Sequence, residues 1–69
     1  MNPLETLKEQ IVNFLSAKPD LAYSVDELIE EFHVEKAWLN RAVSQLDDER
    51  KVRLRVSKGK VYVHVRQSA

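Results

Sequence analysis

The 69-residue sequence has 43% hydrophobic and 32% charged residues and no cysteine, which is typical of one small globular domain and excludes disulfides and thiolate metal sites. Its formal net charge is zero, which by itself argues against a polyanionic partner. No basic start followed by an apolar run marks a signal peptide, and no stretch has the length of a membrane span. We therefore expect a single cytoplasmic domain over residues 1–69 with no membrane partner.

The charges are nevertheless divided between the two parts of the sequence. Residues 1–49 carry four basic and eleven acidic side chains, a net charge of −7, whereas residues 50–69 carry seven basic side chains and no acidic ones, a net charge of +7. Such segregation makes the molecule a dipole. Its cationic end can meet a polyanion or an acidic patch on another protein.

A first helix is predicted to begin at Asn2-Pro3, because Asn accepts a hydrogen bond from a free backbone N–H and Pro fits the first helical position. It stops at Lys18, since the residue before a proline is disfavoured in helical geometry. Apolar residues recur along it mostly at steps of three and four, at Leu4, Leu7, Ile11, Phe14 and Leu15.

A second, shorter helix follows a capping box that runs from Ser24 to Glu27. Its inward-facing residues are predicted to be Leu28, Ile29 and Phe32. The residues between Pro19 and the cap, 21–23, have room for a short strand.

A third helix is predicted over residues 35–49, with one apolar and one polar face. The residues predicted to be buried are Leu39, Val43 and Leu46, with Ala42 beside them. Trp38 is expected to be partly buried at the edge of the polar face. The polar face carries Asn40, Arg41, Ser44 and Gln45, with Lys36 at its edge.

The segment VRLRVSKGKVYVHVR, residues 52–66, alternates apolar and mostly basic residues on both sides of its glycine. A two-residue turn at Lys58-Gly59 predicts a hairpin in which every apolar residue opposes another, whereas a three-residue loop would pair core positions with exposed ones. The predicted pairs on the apolar face are Val56 with Val61, Leu54 with Val63 and Val52 with Val65. The pairs on the polar face are Arg55 with Tyr62 and Arg53 with His64.

This order of elements resembles the winged helix-turn-helix family, and the run SVDELIEEFHVEKAWLNRAVSQLDDERKV resembles its second helix, turn, recognition helix and hairpin start. The resemblance implies an α+β fold of three helices with a C-terminal β-hairpin, and it leaves room for a short third strand. His33 and Arg50 stand where such domains often have glycine. A residue other than glycine adopts a positive φ at a cost of about 1 kcal/mol, so the backbone at these two positions is expected to be either strained or slightly altered.

A narrower resemblance concerns KAWLNRAVS, which is similar to the recognition helix of the Z-alpha family that binds left-handed nucleic acid. Lys36, Asn40 and Arg41 have the spacing of that family's phosphate-contacting residues. Ser44 stands where the family has an aromatic contact residue, and the hairpin lacks the family's proline and tryptophan.

Nine residues are candidates for nucleic-acid contact: Lys36, Asn40, Arg41, Ser44, Gln45, Arg53, Arg55, Lys58 and Lys60. In a major groove, Asn and Gln bond adenine and Arg bonds guanine, while Lys and Ser hold phosphates. The alternative interpretation is a solvated helix face and edge strands whose lysines prevent sheet aggregation.

The sequence therefore favours a nucleic-acid-binding domain, a small transcription regulator whose partner is duplex DNA. The alternative is a protein-interaction module on the same scaffold. A homodimer is compatible with both, since paired half-sites multiply affinity. No glycine-rich phosphate loop or cysteine nucleophile is present, and neither His33 nor His64 has companion ligands, so we expect no enzyme activity, cofactor or metal.

Overall fold

The computed structural model describes residues 2–66. Three helices and a three-stranded antiparallel sheet follow one another along it: α1 Pro3–Ser16, β1 Tyr23–Ser24, α2 Val25–Phe32, α3 Lys36–Asp48, β2 Val52–Ser57 and β3 Lys60–Val65. The spatial order of the strands is β1-β3-β2. The predicted α+β arrangement of three helices, a C-terminal hairpin and a short third strand is confirmed.

The predicted caps begin α1 and α2. The side-chain oxygen of Asn2 accepts a hydrogen bond from the backbone N–H of Leu4 at 2.9 Å. At α2, the hydroxyl of Ser24 accepts from the backbone N–H of Glu27, and the Glu27 carboxylate accepts from the backbone N–H of Ser24, both at 3.1 Å. These bonds satisfy backbone donors that a helix start otherwise leaves unpaired.

The two positions where glycine is common both have left-handed backbone conformations. His33, between α2 and α3, has φ 54°, and its N–H donates to the carbonyl of Ile29 at 2.8 Å. Arg50, after α3, has φ 61°, and the N–H groups of Arg50 and Lys51 donate back to Asp47 and Leu46. The second pattern is a Schellman motif, which reverses the chain from α3 into β2.

The hairpin has the predicted register throughout. Val52 faces Val65, Leu54 faces Val63, and Val56 faces Val61. Lys58 and Gly59 have φ angles of 51° and 77°, the two positive values that a type I′ turn requires. The third strand is Tyr23–Ser24, where residues 21–23 were predicted, and it pairs with β3.

The core lies where the three helices meet the base of the hairpin. Its buried apolar residues are Leu4, Leu7, Ile11, Leu15, Val25, Leu28, Leu39, Ala42, Val43, Leu46, Val52 and Val63. Trp38 packs against this core half-buried, as predicted. Among residues 2–66, none of the helices combines the length and the apolar composition that a bilayer crossing requires.

The apolar face of the hairpin is covered at its base only. Val52 and Val63 are fully buried, whereas Val56 is 72% exposed and Val61 is 37% exposed. The alternation along the sequence assigns all of these valines to one face. The structure shows that the tip of the hairpin extends beyond the helices that cover that face.

Candidate nucleic-acid interface

The exposed face of α3 presents four of the nine candidate residues. Lys36, Asn40, Arg41 and Ser44 are exposed, while Leu39, Ala42, Val43 and Leu46 on the opposite face are buried. Residues three and four apart lie on the same side of a helix, so Lys36, Asn40 and Ser44 form one row with Arg41 beside it. Together the four side chains offer hydrogen-bond donors and acceptors and two positive charges, those of Lys36 and Arg41.

The turn before α3 positions this face. Glu35 is the N-cap residue of α3 with an extended backbone, and no side-chain hydrogen bond closes the cap. The left-handed His33 supplies the change of direction between α2 and α3, and Val34 packs half-buried against the core. The packing of Val34 against the core therefore fixes the start of α3, and the polar face of that helix is exposed to solvent.

The hairpin turn lies beside the start of α3. Lys36 and Asn40 line a cavity of about 160 Å³ together with Gly59, Lys60 and Val61. The third wall of this cavity is the start of α2, where Ser24, Val25 and Asp26 contribute. The structure thus brings Lys36, Asn40 and Lys60 together around one concave surface, although they are distant in sequence.

The remaining basic residues of the hairpin have two different placements. Lys58 is exposed in the turn next to Gly59. Arg53 and Arg55 are exposed and alternate with Val52 and Leu54, which puts them on the sheet face that points away from the helical core. The structure does not bring Arg53 and Arg55 beside Lys36 and Asn40.

Gln45 is placed differently from the other candidates on α3. Its side chain is half-buried, and its Oε1 accepts a hydrogen bond from Nζ of Lys8 on α1 at 3.2 Å. Gln45 therefore lies at the edge of the polar face, beside α1, and not in the exposed row. The crossing of α1 over the end of α3 gives Gln45 an internal partner instead.

Sequence reasoning missed the buried Lys8. The residue is only 5% exposed, and its Nζ also donates to the carboxylates of Glu5, at 3.0 Å, and Glu49. The signal was present in the sequence, since Lys8 sits at a core spacing between Leu4 and Ile11 and three acidic residues end α3.

This cluster shifts two pKa values. The hydrogen bond to Glu49 raises the pKa of Lys8 above its ordinary 10.5, and burial opposes that shift. The same hydrogen bond, aided by the charge of Lys8, lowers the pKa of the Glu49 carboxyl below its ordinary 4.5. Glu49 also lies 3.5 Å from Nζ of Lys51, so one carboxylate joins α1, the end of α3 and the start of the hairpin.

No protein-family model matches the chain, and no curated protein matches it in sequence. Solved structures do match its fold. HlyU from Vibrio cholerae N16961 aligns with a TM-score of 0.81 and 21% identity over 91% of this chain, which spans 65% of the HlyU chain. The Zalpha domain from Carassius auratus PKZ, solved in complex with Z-DNA, aligns with a TM-score of 0.77 and 17% identity over 93% of this chain and 98% of its own.

A structure of HOP2, described through its DNA-recognition and protein-interaction domains, aligns with a TM-score of 0.74 and 19% identity over 86% of this chain and 97% of its own. These likenesses establish the fold. Together with the left-handed turn before α3 and the hairpin beside it, they show that the chain has the winged helix-turn-helix fold.

Proposed function

We propose that this domain binds duplex DNA, with α3 in the major groove and the β2–β3 turn on the phosphate backbone, and that it acts as a transcription regulator. The observation that carries the proposal is the shared cavity, which sets Lys36 and Asn40 of α3 beside Lys60 of the hairpin. A helix and a basic turn on either side of one concave surface fit a groove and its flanking phosphates.

The charge distribution supports a polyanionic partner. The segment 50–69 has seven basic residues and no acidic one, and two of the seven, Lys58 and Lys60, lie at the hairpin turn that faces α3. Asp26 lines the shared cavity and repels phosphate, so the phosphates are expected to approach from the Lys58 and Lys60 side.

Two of the fold neighbours support the proposal. The Zalpha domain was solved in complex with Z-DNA, and the HOP2 structure is described by its DNA recognition. Lys36, Asn40 and Arg41 are all exposed on α3, which is consistent with the resemblance to the Z-alpha recognition helix, but Ser44 stands at the aromatic position. We therefore propose right-handed duplex DNA as the ligand, and a left-handed duplex is included in the test.

The test is a fluorescence anisotropy titration of labelled duplexes with the purified protein. With about four phosphate contacts, the logarithm of affinity should fall with the logarithm of salt concentration at a slope of about −4. No binding at low salt, or binding without salt dependence, would overturn the proposal. Random-duplex selection against charge-matched scrambled controls then identifies the preferred sequence.

A triple variant localises the interface. Lys36→Gln, Arg41→Gln and Lys60→Gln together remove three charges from the proposed face and should weaken binding by about three orders of magnitude at low salt. The matched control, Lys18→Gln, Arg50→Gln and Arg66→Gln, removes three charges from outside that face and should bind far more tightly. Equal losses in the two variants would mean that only net charge matters.

The competing function is a protein-interaction module, and chemical-shift mapping with short duplexes separates it from DNA binding. We expect the shifted amides to lie in α3 and in the turn around Lys58 and Lys60. Shifts confined to other surfaces, such as the exposed acidic residues of α2, would favour a protein partner.

A further inference from the structure

We propose that a groove beside α1 binds a small monocarboxylate attached to an apolar body. The groove has a volume of about 780 Å³ and lies between α1, the end of α3 and the base of the hairpin. This volume is within the range of small-molecule sites. None of the nine candidate DNA-contacting residues lines it, so the groove is separate from the proposed DNA interface.

Three apolar side chains, from three different elements, line part of the groove among its polar residues. Val12 of α1 and Val65 of β3 are half-buried, and Leu46 of α3 is buried. These side chains offer a surface for an aromatic ring or a short alkyl chain, whose transfer out of water would drive binding.

The hairpin side of the groove supplies cations for a carboxylate. Arg50 and Arg66 both line the groove and are exposed, and no carboxylate within residues 2–66 lies within ion-pair distance of either guanidinium. Lys51 is already 3.5 Å from Glu49 and is partly neutralised. A guanidinium binds a carboxylate with two parallel hydrogen bonds, which makes Arg50 and Arg66 the anion-recognising groups.

The α1 side of the groove restricts the ligand to one negative charge. Glu5 is paired with Lys8 at 3.0 Å, but Glu9 has no cationic partner among the described residues. A second carboxylate or a phosphodiester chain lying across the groove would meet Glu9 and be repelled. The charges therefore favour a ligand with a single carboxylate at the arginine end.

A ligand in this position would act on the joint between α3 and the hairpin. Arg50 is the left-handed residue of that joint, and the carbonyl of Lys51 accepts a hydrogen bond from the N–H of Arg66 at 3.0 Å. A carboxylate bound by both Arg50 and Arg66 would link the turn that follows α3 to the residue that follows β3.

The test is an NMR titration of the ¹⁵N-labelled full chain, without DNA, with 3-phenylpropionate, and with phenethylamine as a control that has a similar apolar body and the opposite charge. We expect 3-phenylpropionate to give saturable shifts around Val12, Leu46 and Val65 with a dissociation constant on the order of 1 mM, as suits a ligand of about eleven heavy atoms. The amine should give none. Absence of saturable shifts with 3-phenylpropionate at about 10 mM, or equal responses to the two compounds, would overturn the proposal.

A pair of double variants tests the role of the arginines. Arg50→Gln with Arg66→Gln should weaken 3-phenylpropionate binding by at least about tenfold, because both charge-assisted contacts are lost. Arg53→Gln with Arg55→Gln removes the same charge from the far face of the sheet and should leave the affinity within about twofold. Similar losses in both would refute the site, and this result does not depend on whether the protein binds DNA.

Discussion

The ammonium group of Lys8 on α1 donates a hydrogen bond to the carboxylate of Glu49, the residue that ends α3. This contact joins the first helix to the last turn before the hairpin, across 41 positions of sequence. It places a charged pair at the point from which α3 and the hairpin diverge, so its ionisation bears on the stability of both.

The stability of the domain should therefore fall at both ends of the pH scale. Because the folded state lowers the pKa of Glu49 below 4.5, its contribution is present above that pH and is lost as the pH falls through the folded-state value. Because the folded state raises the pKa of Lys8 above 10.5, its contribution is present below that pH and is lost as the pH rises through the folded-state value. Urea titrations at a series of pH values from acid to alkaline measure the free energy of unfolding and show its decrease at both ends.

The variant Lys8→Met should be less stable than the natural chain near neutral pH and should show a weaker dependence on pH at both extremes. Lys18→Met, which removes an exposed charge, is the control and should keep the original profile. A Lys8→Met profile parallel to that of the unchanged chain would contradict the assignment of the two pKa shifts to this contact.

The left-handed His33 predicts a second result. His33→Gly removes the side-chain clash of a left-handed residue, worth about 1 to 2 kcal/mol, while adding freedom to the unfolded chain that costs about 0.4 to 1 kcal/mol. We expect a net gain of between about 0 and 1.6 kcal/mol in the free energy of unfolding. Ala22→Gly is the control, because Ala22 is exposed and has no positive φ, and it should lose about 0.5 kcal/mol. A loss of stability in His33→Gly comparable to the control would show that the turn does not hold strain.

Local chemistry explains why much of the fold could be predicted from the sequence. The caps at Asn2 and Ser24 depend on residues two or three positions away, and the hairpin register depends on its turn and on a period of two. The resemblance to a family that often has glycine at His33 and Arg50 left two outcomes open there, strain or an altered backbone, and the structure shows the left-handed angles.

Long-range packing explains what the sequence did not reveal. Gln45 is polar and lies near the exposed row of α3, yet it bonds to a lysine 37 positions away because α1 crosses α3 there. Alternation assigned Val56 to the apolar face but could not tell how far the helices cover that face. Likewise, it identified Arg53 and Arg55 as outward-facing residues without showing that this face points away from α3.

The uneven coverage of the hairpin predicts a gradient of mutational effects along β2. Val52→Ala removes two buried methyl groups at a site with no exposure and should cost about 2 kcal/mol in the free energy of unfolding. Val56→Ala makes the same chemical change at a position that is 72% exposed and should cost less than about 0.5 kcal/mol. Denaturant titrations of the two variants provide the comparison, and equal costs would show that the tip of the hairpin is covered in solution.

The proposal gives phosphate contacts to the hairpin turn and base contacts to α3. The salt dependence of DNA binding can test these two roles separately. Lys60→Gln removes a phosphate contact and should reduce the magnitude of the salt slope by about 1, with a similar loss of affinity for every duplex sequence. Asn40→Ala removes a neutral base contact and should leave the slope unchanged while costing about 1 to 3 kcal/mol on the preferred sequence only. Lys18→Gln lies outside the proposed interface and should alter neither quantity. If Lys60→Gln left the slope intact, or if Asn40→Ala weakened all sequences equally, the hairpin and the helix would not have the separate roles that their placement around one cavity implies.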